Sequence, residues 1–145
     1  MPHSYVSNLV HCTFGTKDRS AIISPEWEAR VWAFMGGIAR QNGIKALAVG
    51  GIEDHVHVLL SLPGTMPVAK AVQLVKAGSS KMIRATFTKS FEWQEGYGAF
   101  SIGISQVKAT VAYIRNQRAH HKRVDFREEF RTFLRKHGMA PEDLP

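Results

Sequence analysis

A chain of 145 residues, 44% hydrophobic and 21% charged, has room for one compact domain with its own core, residues 1–145, and little room for a second. That balance excludes a disordered tail, and no run approaches the roughly 20 apolar residues needed to cross a bilayer. Nineteen Lys and Arg against twelve Asp and Glu leave a formal charge of +7, which favours a polyanionic partner without identifying one. The single cysteine, Cys12, has no partner for an intramolecular disulfide, and the start Met1-Pro2-His3-Ser4-Tyr5 does not read as a secretion signal. The expectation is a cytoplasmic protein with no membrane association.

In chain order, Tyr5 to Thr16 carries Val6, Leu9, Val10, Cys12 and Phe14 in imperfect alternation and reads as a strand. Ser24-Pro25-Glu26 reads as a helix start, after which Trp27, Val31, Phe34 and Ile38 recur at helical spacing until Asn42-Gly43. Ile44 to Ile52 and His55 to Leu62, separated by Glu53-Asp54, read as a strand hairpin ended by Pro63-Gly64. A longer helix follows from about Pro67 to Phe87, with Val68, Val72, Val75, Met82 and Ile83 toward a core and Lys70, Lys76, Lys81 and Arg84 toward water. Ala99 to Ile104 is a short strand. Ser105 then caps a helix carrying Val107, Val111 and Ile114 and running to about Gln117. Asp125 with Glu128 forms a capping box for a last helix ending at His137-Gly138, before Pro141. The sum is an α+β domain of roughly four strands and four helices.

His55 and His57 lie two apart on one strand, so both imidazoles leave the same face while Val56 and Val58 leave the other. Two neutral imidazoles on one face can share a metal ion, although an isolated His-x-His is more often a pair of ordinary sheet histidines. Tyr113 and Gln117, four apart on a helix, share a stripe distinct from the apolar row of Val107, Val111 and Ile114. A half-buried tyrosine anchoring its hydroxyl is the ordinary alternative there.

Together, Asp54-His55-Val56-His57 on a strand and Tyr113-Ile114-x-x-Gln117 on a later helix resemble the HUH superfamily of single-strand nucleases, and within it the single-tyrosine transposases of small insertion sequences. The likeness extends to Trp93-Gln94-Glu95-Gly96-Tyr97-Gly98-Ala99-Phe100-Ser101, to Gln117-Arg118-Ala119-His120-His121 and to Phe126-x-x-Glu129-Phe130. It implies a ferredoxin-like or RRM-like antiparallel sheet with helices mainly on one face and a C-terminal helix that bears the tyrosine. It also implies that His55, His57 and Gln117 hold a divalent ion, Mg2+ or Mn2+. Tyr113 is then the nucleophile, forming a 5′-phosphotyrosine bond and releasing a 3′-hydroxyl, with no ATP or nucleotide cofactor.

The implied substrate is single-stranded DNA with hairpin-forming element ends, and the implied partner a second copy of the chain, in a homodimer with composite active sites. Nine of the nineteen basic residues fall between Ser105 and His137, among them Arg115, Arg118, Lys122 and Arg123, a clustering suited to tracking phosphates. His120, one turn further along the tyrosine stripe, is a weak candidate for the general base. Glu53 and Asp54 read more readily as a charged hairpin turn than as groups orienting a histidine.

Rival readings weigh less. A histidine-triad nucleotide hydrolase would need a third histidine at the position of Leu59. A non-catalytic module binding single-stranded nucleic acid fits the charge but gives no reason for Tyr113 with Gln117. A domesticated relative that processes chromosomal repeats would carry the same catalytic residues.

Overall fold

Because successive side chains of a strand point to opposite faces, the segment His55–Ser61 must satisfy two different neighbours at once. The computed structural model, which describes residues 3–140, shows how. Strands β1 (Leu9–Gly15), β2 (Lys45–Ile52), β3 (His55–Ser61) and β4 (Gly98–Ile102) form one sheet, with helix α1 (Glu28–Gln41) between β1 and β2 and α2 (Val68–Thr86) between β3 and β4. The strand order is β2-β3-β1-β4 with every neighbouring pair antiparallel, which is the ferredoxin-like arrangement. Helices α3 (Val107–Arg115), α4 (Gln117–His120) and α5 (Phe126–Lys136) follow. Met1, Pro2 and the expected stop at Pro141 lie outside the described residues.

One face of the sheet is the main core. Val10, Cys12 and Phe14 of β1 and Val56, Val58 and Leu60 of β3 pack there against α1 and α2. As expected, the two long helices share this face. The buried stripe of α1 is Val31, Met35, Ile38 and Ala39, whereas Phe34 is 42% exposed. The helix also starts later than Pro25: Ser24 Oγ accepts from the Glu26 amide at 3.2 Å, and the intervening residues form a turn before Glu28. Trp27, outside the helix, stacks on Phe87 with ring centroids 4.4 Å apart. Lys76 does not point to water. Burial lowers its pKa, its Nζ donates to the carbonyls of Gln94 and Gly96 at 2.7 and 2.9 Å, and it lies 5.2 Å from the Phe14 ring centroid.

The opposite face carries the histidines. Strand pairing places Gly50, His57, Thr13 and Gly98 in one row across the sheet, with Ala48, Leu59, His11 and Phe100 in the next. The outer positions of the His57 row are glycines, and this is what admits the last three helices. A Cβ on Gly50 would lie 2.6 Å from the Ile114 carbonyl oxygen of α3, and one on Gly98 would lie 2.8 Å from Phe130 Cζ of α5. With those side chains absent, Ile114 is fully buried against Ala48 and Leu59, and Phe130 is buried over β4. Leu59, at the position a third histidine would need, serves this packing.

The expected single helix to Gln117 is broken. Asn116 (φ −104°, ψ 25°) ends α3, and its amide bonds to the carbonyls of Ala112 and Tyr113. Ser105 does not cap α3; it sits in a 3-10 turn, Ile104–Gln106, that leads into the helix. Asp125 does cap α5, accepting from the Glu128 amide at 2.8 Å. Among the described residues, no helix is long and apolar enough to cross a membrane.

The close approach at Gly50 makes a direct prediction. Gly50→Ala forces α3 off the sheet, and overpacking of this kind costs about 1–3 kcal/mol, to be read from urea unfolding midpoints. An unchanged midpoint would show that α3 does not rest on the sheet at this glycine.

Candidate active site

The two histidines of β3 project under α3, α4 and α5, where both are fully buried. His55 Nδ1–H donates to Asp54 Oδ1 at 2.8 Å, so Asp54 does orient a histidine although the charged turn was the simpler expectation. Phe126 stacks on the His55 ring at 4.4 Å. The His55 Nε2 faces Gln117 Oε1 at 3.0 Å and Glu129 Oε1 at 3.5 Å. The Gln117 amide is turned this way because its Nε2 donates to the Tyr113 carbonyl at 3.2 Å.

His57 Nε2–H donates to Glu129 Oε1 at 2.8 Å, and its Nδ1 lies 2.8 Å from His11 Nε2. His121 Nε2 reaches Gln117 Oε1 at 3.0 Å and Glu129 Oε2 at 3.2 Å. One donor atom from each of His55, His57, His121 and Glu129 falls within a sphere where all lie within 4.8 Å of one another. Imidazole nitrogens, a carboxylate and an amide oxygen, brought together on buried side chains, fit a divalent cation of intermediate hardness. Gln117 thus joins His55 and His57 as expected, while Glu129 and His121 enter the donor set unforeseen.

Tyr113 does not stand clear of the packing, as its stripe suggested; it packs half-buried against the Ala48–Leu59–Ile114 cluster. Its hydroxyl donates to Glu129 Oε2, and His120 Nε2 lies 3.3 Å from it. Burial first, and then the Glu129 carboxylate, raise the Tyr113 pKa above its ordinary value. For Glu129 burial pushes upward, but the hydrogen bonds from His121 and His57 outweigh it and hold the carboxyl well below the usual range. For His57 burial dominates and lowers the pKa to about 4; for His11, burial and the neighbouring His57 lower it to about 3. For His121, burial is outweighed by Glu129 and the pKa is raised.

The outer side of Tyr113 opens into a surface cleft bordered by Asn116, His120, Lys122, Arg123 and Val124. Arg115 is exposed on α3. Arg118 is engaged within the chain, its Nη2 2.6 Å from Glu53 and 3.2 Å from Glu28, so it ties α4 to the β2–β3 turn and α1. Sequence reasoning missed His11, His121 and Glu129 as site residues. A carboxylate between Phe126 and Phe130 on the buried stripe of α5, and a histidine within the fully buried β1, were the available signals.

Comparisons with known proteins bear on the family and the fold. The family model of IS200-like transposases matches residues 4–117, which takes in the sheet, α1 to α3 and Gln117. The fold is similar to that of a protein described as a candidate transposase from Deinococcus radiodurans R1, with TM-score 0.65 and 22% identity over 81% of this chain and 96% of that one. It is also similar to a REP-associated tyrosine transposase solved with a REP hairpin, with TM-score 0.62 and 16% identity over 86% of this chain and 74% of that one. No curated protein matches.

The buried imidazoles make stability depend on pH. The unfolded chain binds a proton on His11 and on His57 near pH 6.5, whereas the folded chain does so only near 3 and 4. The unfolded state therefore holds more protons across this window, and stability falls as the pH falls, by up to about 1.4 kcal/mol per pH unit for each histidine. His121 is raised, so its contribution is fully present below pH 6.5 and is lost only above it; that of Glu129 is lost only as the pH drops below the ordinary carboxylate range. Urea unfolding of the metal-free protein at pH 7, 6 and 5 should show a steady loss, and a flat profile would contradict neutral buried imidazoles.

Proposed function

The chain belongs to the IS200-like transposases, and on that premise we propose that it cleaves and rejoins single-stranded DNA at insertion-element ends, with Tyr113 as nucleophile and His55, His57 and Gln117 holding Mg2+ or Mn2+. The observation that carries this reading is a shared carboxylate. Glu129 Oε2 accepts from the Tyr113 hydroxyl while Glu129 Oε1 accepts from His57, so nucleophile and donor set meet at one side chain.

His55, His57 and Gln117 would hold a divalent ion, which would supply polarisation of the scissile phosphate and neutralise charge developing on it. The remaining work falls to the chain. Tyr113 Oη attacks phosphorus, the bond to the 3′ oxygen breaks, and the 3′-hydroxyl leaves with a proton while the 5′-phosphate stays on the tyrosine. Glu129 orients the phenol, and the half-exposed His120, 3.3 Å from the hydroxyl, gives its proton a route to solvent. A phosphotyrosine is close in energy to the phosphodiester it replaces, so a 3′-hydroxyl on a new strand can reverse the step without ATP.

Lys122 and Arg123 beside Tyr113, with Arg115 on the same helix, give the strand a cationic border, and Arg118 holds α4 in place behind them. Hairpin recognition, known for the relative solved with a REP hairpin, belongs to the same proposal. So does the homodimer. The expectation there is composite sites, whereas in this structure Tyr113 bonds to Glu129 and packs edge-on to His57 within its own chain.

The test incubates labelled single-stranded oligonucleotides bearing candidate element ends with Mg2+ or Mn2+ and resolves covalent adducts on a denaturing gel. Wild type yields an adduct that EDTA prevents. Tyr113→Phe yields none but binds the oligonucleotide with similar affinity, and His57→Ala loses the metal-dependent step by loss of a ligand. An adduct with Tyr113→Phe would refute the nucleophile. Metal-independent binding with no adduct at any end sequence would favour the non-catalytic binding module.

A further inference from the structure

Both β3 histidines are held at Nδ1, but by partners of different character. Asp54 is an obligate acceptor, so His55 carries a proton on Nδ1. The partner of His57 is another imidazole, which can accept or donate. His11 lies on the neighbouring central strand, diagonal to His57 on the same face, with its Nε2 2.8 Å from His57 Nδ1. It is 3% exposed, and Phe133 packs edge-on against its ring at 5.0 Å, which fixes the ring plane.

We propose that His11 is a positioning residue that sets the tautomer of His57 and thereby makes its Nε2 available to a cation. The inference rests on the reading of His55 and His57 as metal ligands. In the structure His57 Nε2–H donates to Glu129 Oε1, so its Nδ1 is an acceptor and His11 Nε2–H donates to it. A cation at His57 Nε2 requires that nitrogen to be unprotonated, and neutral His57 then carries its proton on Nδ1. The exchange balances across the pair. The proton on His57 Nε2 leaves to solvent, the His11 Nε2 proton crosses the 2.8 Å hydrogen bond to His57 Nδ1, and His11 takes one proton from solvent at Nδ1. The pair holds two protons before and after. A fixed acceptor in place of His11 would favour the loaded form alone, whereas an imidazole supports both.

The test has a spectroscopic arm and a binding arm on the full chain. Side-chain 15N shifts of His11 and His57 should report Nε2–H on both rings in metal-free protein and Nδ1–H on both at saturating Mg2+. Persistence of the metal-free pattern at saturation would overturn the proposal with no variant needed. For Mn2+ titrated against the protein and followed by the spectrum of the free ion, loss of an orienting partner of this kind weakens affinity about 10- to 100-fold. His11→Phe should show that loss, and His11→Gln, which keeps a carbonyl acceptor, should recover most of it. If wild type and His57→Ala bind Mn2+ alike, the metal-site reading fails and this inference with it. If His57→Ala abolishes binding while folded His11→Phe matches wild type, the site stands and the role of His11 alone is refuted.

Discussion

A carboxylate that is 3% exposed beneath a sheet must be paired, and the second half of this molecule is arranged around that requirement. Glu129 comes from α5, yet the groups that satisfy it come from elsewhere: His57 from β3, Tyr113 from α3, and His120 and His121 from α4 and the residue after it. Removing one partner of such a buried set costs about 3–5 kcal/mol, because a charge is left uncompensated. That is comparable with burying an aliphatic side chain or two. The network therefore counts as much as Ile114 and Phe130 in fixing where three short helices sit. It also couples their positions, since each contributes a member of the one set in which the carboxylate is paired.

The sheet supplies the rigid side of this arrangement. β1 and β3 are its central strands, so His11, His55 and His57 move only if the sheet moves. The helices supply the other side, and the break at Asn116 sets Tyr113 and Gln117 on separate short segments. The single hydrogen bond from the Gln117 amide to the Tyr113 carbonyl then carries the alignment that an unbroken helix would give.

How much of this was legible follows from the range of the signals. Alternation in HVHVLLS placed both histidines on one face, and the turn chemistry and apolar spacing gave the order of strands and long helices, because those signals are local. The α1 stripe runs through Met35 and Ala39 and not Phe34, and Trp27, which read as part of the helix, lies before it and stacks on Phe87, a partner 60 positions away that no periodicity reveals. The pairing of His11 with His57 and of His57 with Glu129 spans 46 and 72 positions, and no periodicity connects residues so far apart. The ion pairs of Arg118 with Glu28 and Glu53 were illegible for the same reason, their partners being equally remote.

The irregularity in β2 between Ala46 and Ala48, where the register against β3 shifts, bears on how the molecule behaves in company. β2 is an outer strand of eight residues, and a regular outer strand of that length offers a row of unpaired amides and carbonyls to any passing chain. The bulge breaks the spacing of that row and increases the local twist, and Lys45 puts a charge at its start. The opposite border, β4, is only five residues long. The sheet is thus guarded against open-ended strand addition at both borders, which keeps crowded copies of the chain from templating one another into fibres.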